Sequence, residues 1–81
     1  MLVEKAGYRA VVQTKRWNRQ VDKRAIREVL RARLQYRARY AVVVTNSDFT
    51  RDAIELAVRS GVELWDRSVL GRLLGILSVA G

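Results

Sequence analysis

The stretch that most constrains this chain is Ala41-Val42-Val43-Val44-Thr45, an uncharged and largely β-branched run. Such a run suits a strand covered on both faces, the pattern of parallel sheets rather than of half-solvated hairpins. A helical pattern precedes it and another follows, so its neighbours are reached by right-handed crossovers. Upstream, Leu2–Lys5 and Tyr8–Lys15 read as strands joined by a tight turn at Ala6-Gly7, where glycine accepts positive φ. Downstream, Val62–Trp65 is a short last strand. The chain is therefore α/β, a mixed β-sheet with flanking helices in the order ββαβαβα.

The first helix runs from Asp22, an N-cap, to about Arg37. Ile26, Val29, Leu30 and Leu34 mark its buried stripe, and Arg24, Arg27 and Arg31 share the opposite side. At 100° per residue Arg33 and Arg37 fall in line with Ile26 and Leu30, on the apolar side. Either the helix ends early, or its last turns leave the core and carry those arginines to a ligand or a second subunit. Thr50 caps the second helix, which reaches Ser60. Phe49 and Ile54 have the spacing of a hydrophobic staple, and Gly61 takes the C′ place. The third helix spans Ser68–Val79, with Leu70, Leu73, Leu74 and Leu77 inward.

Eighty-one residues make a single domain, and a chain of this size buries only about 60% of its unfolded surface. It has no Cys and no His, which excludes disulfides, thiolate metal sites and imidazole chemistry. A reducing, cytoplasmic setting fits. No charged-then-apolar leader and no apolar run near the ~18 residues of a membrane span is present, so a soluble protein is expected.

The net charge of +8 is unevenly placed. Residues 1–40 hold 12 Lys/Arg against Glu4, Asp22 and Glu28, a balance of +9; residues 41–81 hold 4 Arg against 5 acids, a balance of −1. A polyanion is the natural partner of the first half, because each neutralised phosphate releases counterions. Thirteen of the 16 cations are Arg, whose fork can place two hydrogen bonds on one phosphate. Arg16, Trp17, Arg19, Arg24, Arg27 and Arg31 are the expected contacts to a nucleic acid, although Trp17, which could stack on a base or sugar, could equally cover the start of the helix.

Gln13 and Lys15 project from one face of their strand, about 7 Å apart along it. A Gln carbonyl can ligate a hard cation, and a Lys can hold a water beside a scissile phosphate. Two polar residues on a solvated sheet face would look the same. If residues 5–7 form the turn, Glu4 pairs with Tyr8 and points away from Gln13. With a two-residue turn it shares Gln13's face but sits by Arg9, on the order of 13 Å away.

The blocks Val11-Val12-Gln13-Thr14-Lys15-Arg16-Trp17, Val43-Val44-Thr45-Asn46-Ser47-Asp48-Phe49-Thr50 and Glu63-Leu64-Trp65-Asp66-Arg67, followed by Leu70, Leu73 and Leu74, resemble the Mrr-type restriction endonuclease domain. The resemblance runs from Gly7 to about Leu74. It implies a restriction-endonuclease-like core in which an Asp and a Gln/Glu-x-Lys pair hold Mg²⁺ and attack the DNA backbone. Gln13 and Lys15 match that pair, and Ser47 and Thr50 match the loop near the site. The family's metal-binding Asp lies on the strand before Gln-x-Lys, and Met1 stands about where that strand should be. The expectation is a core lacking the upstream helix and acid-bearing strand, which binds Mg²⁺ poorly and cuts DNA slowly or not at all. A non-catalytic DNA-binding domain and a homodimeric assembly module are the other readings, the second favoured by Gly71 and Gly75 four apart in an apolar last helix.

Overall fold

The structure, a computed structural model, describes residues 1–16, 18–69 and 71–72. Its elements are β1 (Leu2–Lys5), β2 (Tyr8–Lys15), α1 (Lys23–Gln35), β3 (Tyr40–Thr45), α2 (Arg51–Ser60) and β4 (Glu63–Trp65). They form one four-stranded sheet in the order β1-β2-β3-β4. β1 is antiparallel to β2, while β2, β3 and β4 are parallel. Two crossovers of one hand, stepping the same way across the sheet, leave their helices on the same face. α1 accordingly packs on β2, β3 and α2, and α2 also meets β4. Residues 67–69 and 71–72 are helical, and Asp66 Oδ1 accepts from Val69 N at 3.0 Å to cap them. The expected inward residues Leu70, Leu73, Leu74 and Leu77 lie outside the described residues.

The β1–β2 turn has two residues, and both have positive φ: Ala6 at 52° and Gly7 at 82°. This is the turn whose twist matches the flanking strands. It selects one of the two registers left open by the sequence, in which Glu4 faces Arg9. Glu4 Oε1 lies 3.4 Å from Arg9 Nε, so that carboxylate is spent at the far end of β2 from Lys15.

α1 starts where expected, with Asp22 Oδ1 accepting from Arg24 N at 2.9 Å. It ends at Gln35 rather than Arg37, and Arg37 takes a left-handed conformation (φ 51°) that turns the chain towards β3. The fully buried positions are Ala25, Ile26 and Val29, with Leu30 half-buried against the same core. Leu34, expected inward, is 78% exposed. The stripe continues from Val29 by one i+4 step to Arg33, and Leu34 falls beyond its edge. Arg33 Nη1 donates to Ser60 O at 3.2 Å, so this arginine occupies the apolar side because it satisfies an end carbonyl of α2.

Thr50 Oγ1 accepts from Ala53 N at 3.2 Å, and Gly61 ends α2 at φ 72°, as the sequence suggests. Phe49 is buried, while its staple partner Ile54 stays 47% exposed. Val11, Ala41 and Val43 of the sheet meet Ala25, Ile26, Val29, Ala53 and Ala57 of the helices in a single core. Val21 is fully buried in the same cluster although it lies between elements. Its N–H donates to Asp48 O at 2.8 Å and its carbonyl accepts from Thr50 N at 3.0 Å. These two bonds tie the segment after β2 to the segment after β3.

Candidate active site

On β2, Val11 is buried against the helices, and the alternation then carries Gln13 and Lys15 to the same side, further along the strand. The two residues therefore do not stand on an open sheet face. They lie under the edge of α1, half-buried, with the Lys15 side chain only 18% exposed.

What meets them there is Glu28. Gln13 Nε2 donates to Glu28 Oε2 at 2.6 Å, and Lys15 Nζ stands 3.1 Å from the same oxygen. Glu28 is the one acid within α1, and it directly precedes the buried Val29. One residue is 100° of helix, so Glu28 sits at the margin of the buried stripe, where a side chain reaches the adjacent strand. The structure thus collects a carboxylate, an amide and an ammonium at one point. Gln13 and Lys15 were legible in the sequence and Glu28 was not singled out. Its signal was a lone acid on the stripe's edge of a basic helix.

Beside this cluster, Thr14, Lys15, Arg16, Val44, Thr45 and Asn46 line a cavity of about 360 Å³ at the carboxyl ends of β2 and β3. Ligands of open α/β sheets bind at this end of the strands. Thr45 is buried, and its Oγ1 accepts from Ser47 N at 3.1 Å, which fixes the loop that leaves β3. Ser47 O in turn accepts from Arg67 N at 3.2 Å. Ser47 is thereby held next to the cavity rim, whereas Thr50 is engaged as the cap of α2.

The predicted basic contacts fall into three places. Arg16 lines the cavity, and Arg19 lies exposed on the following loop. Trp17 lies outside the described residues. Arg24 and Arg31 are exposed on α1 one turn to either side of Glu28, at i−4 and i+3. Arg24 also pairs with Asp22, its Nη2 2.9 Å from Asp22 Oδ2. That hydrogen bond, with the Asp22 charge behind it, raises the guanidinium's pKa and lowers that of the carboxylate. Arg27 turns instead towards α2 and, with Lys23, Asp52, Glu55, Leu56 and Arg59, lines a groove of mixed charge.

The restriction endonuclease family model of the Mrr catalytic type matches residues 2–74 of this chain. The chain belongs to the Mrr restriction endonuclease family. Neither the curated proteins nor the solved structures give a match. The mixed sheet with its helices is the restriction-endonuclease-like arrangement that membership entails. Enzymes with this fold usually use Mg²⁺, so the donors of the Mrr-type chain have to be tested against that ion. Among the described residues there is no group of three or more acidic, His or Cys side chains that could hold a metal. The cluster offers one carboxylate, Glu28, and one amide, Gln13. Both are hard oxygen donors, the kind Mg²⁺ takes when it keeps several waters and shares phosphate oxygens of a substrate. The set fits in kind and is minimal in number.

Among the described residues no helix is long and apolar enough to cross a membrane.

Proposed function

We propose that this domain binds double-stranded DNA and hydrolyses its phosphodiester bonds with Mg²⁺, at a low rate for a nuclease. The observation that carries this reading is the meeting of Gln13, Lys15 and Glu28 beside the cavity at the strand ends. Family membership supports the nuclease class, and the arginines around the cluster support a phosphate backbone as the ligand.

In this reading Arg16, Arg24 and Arg31 hold phosphates on either side of the cavity. Lys15 holds the attacking water at its ammonium, and its charge stabilises the oxygens of the reacting phosphate. Gln13, through its side-chain carbonyl oxygen, would hold the metal, which would supply charge neutralisation at the phosphate. Water adds to phosphorus, the ester P–O bond breaks, and the products are a phosphate monoester and an alcohol. The low rate follows from the small donor set, because a lone carboxylate does little to offset the cost of dehydrating Mg²⁺.

The missing trio of metal-ligating side chains among the described residues favours a second reading, a DNA-binding domain of the same fold without catalysis. Incubation of supercoiled plasmid with the chain separates the two. Nicking that needs Mg²⁺ and stops with a chelator supports hydrolysis. Tight binding without nicking over long incubation supports the second reading.

A further inference from the structure

We propose that Glu28, on α1, is the carboxylate of the divalent-cation site, so that the acid comes from the helix after the Gln-x-Lys strand. The inference rests on the reading of the cluster as a Mg²⁺ site and names the residue that supplies its charge.

Three observations carry it. The first is convergence: Glu28 Oε2 receives Gln13 Nε2 at 2.6 Å and Lys15 Nζ at 3.1 Å, so two donors already gather at one carboxylate oxygen. The second is spacing. Adjacent ligands of an octahedral Mg²⁺ with bonds of about 2.0–2.1 Å stand about 2.9 Å apart. The tips of Gln13 and Glu28 already lie near that separation. The terminal torsion of Gln is broad and roughly two-fold, so its oxygen can replace its nitrogen there at little cost.

The third observation is electrostatic. Glu28 is a carboxylate placed between Arg24 and Arg31, on the helix side that the proposed function turns to phosphate. Its charge, offset in part by the Lys15 ammonium at 3.1 Å, opposes the DNA that the neighbouring arginines attract. A divalent cation held by Glu28 would remove that opposition. The position makes physical sense for a DNA-binding helix when the cation is present.

The test uses the whole chain with Glu28→Gln and Glu28→Asp. Gln at 28 keeps a hydrogen-bond acceptor for Gln13 and Lys15 while removing the charge opposite the largely buried Lys15 ammonium, so urea unfolding should show a partial loss of stability with both variants still folded. Mn²⁺ binding to the DNA-free protein, read by electron paramagnetic resonance, should weaken about tenfold or more in Glu28→Gln, the scale on which even outer groups of metal sites act. Glu28→Asp should retain part of it. Equal Mn²⁺ affinity in wild type and Glu28→Gln, or no Mn²⁺ binding by the wild type at millimolar concentration, overturns the proposal and leaves Glu28 as a holder of Gln13 and Lys15. Duplex-DNA affinity, measured alongside, reports on the proposed function separately. Glu28→Gln should bind DNA more tightly than wild type without metal and should gain less from Ca²⁺. Absence of DNA binding in both proteins defeats the DNA reading, while the Mn²⁺ result still decides the role of Glu28.

Discussion

Gln13 and Glu28 meet at 2.6 Å although 15 residues of chain separate them. The contact exists because the crossover lays α1 over the end of β2, with the buried Ile26 and Val29 setting the helix rotation. That rotation turns Glu28 to the strand and leaves Arg24, Arg27 and Arg31 outside. One helix therefore supplies core on one face and exposed arginines on the other.

Arg33 is expected to act on stability rather than on DNA. Its guanidinium donates to the Ser60 carbonyl at the end of α2, a half-buried contact linking the two helices. Arg33→Ala should cost about 1–2 kcal/mol, since it removes a charge-assisted bond to an end carbonyl. Urea unfolding measures the loss, and DNA affinity should barely change.

Arg37 makes the opposite prediction. It holds φ at 51°, a left-handed conformation that costs a residue with a side chain about 1 kcal/mol. Arg37→Gly should raise the unfolding midpoint by a corresponding amount. A fall in stability would mean that the Arg37 side chain does more for the fold than its backbone costs.

These two residues also show where the sequence stops being informative. The strand Ala41–Thr45, the hairpin at Ala6-Gly7 and the caps Asp22, Thr50 and Gly61 were legible, since each depends on neighbours a few residues away. Leu34 was misplaced because the stripe of α1 was extended past the point where the helix leaves the sheet and meets α2, and the role of Arg33 on the apolar side stayed open until that meeting was known. The hairpin register needed the conformation of Ala6, which propensity leaves open. Glu28 was missed for a similar reason. Nothing local marks a helical acid as the partner of a strand residue until the helix rotation on the sheet is known.

Asp22 gives a pH dependence. Its carboxylate is held below the ordinary value of 3.8, first by the Arg24 side chain and then by the Arg24 backbone N–H. A group with a depressed folded pKa contributes stability above its unfolded value and loses it as pH falls through the folded one. The stability difference between wild type and Asp22→Asn should therefore be constant near neutrality and shrink below about pH 4. Unfolding midpoints from about pH 6 down to about pH 2 follow it. A difference independent of pH would remove the charge from the cap's role.

Salt dependence tests the basic row. Each phosphate contact contributes about −0.9 to the slope of log affinity against log salt on duplex DNA. Replacing Arg24 and Arg31 together with Ala should flatten the slope by about 2 units, whereas Arg59→Ala, in the mixed-charge groove, should leave it nearly unchanged. Fluorescence anisotropy with a short duplex measures both. Equal slopes in all three proteins would take α1 out of the interface.

Gln13 and Lys15 are proposed as the working end of a Mrr-type nuclease site. The direct measurement is the single-turnover rate of Mg²⁺-dependent plasmid nicking by wild type and Lys15→Ala, at protein concentrations that saturate the DNA. Slow but measurable nicking is expected from the wild type, reduced by about 100-fold or more in Lys15→Ala, with DNA affinity little altered. Nicking of equal rate in both proteins, or none in the wild type, would contradict it.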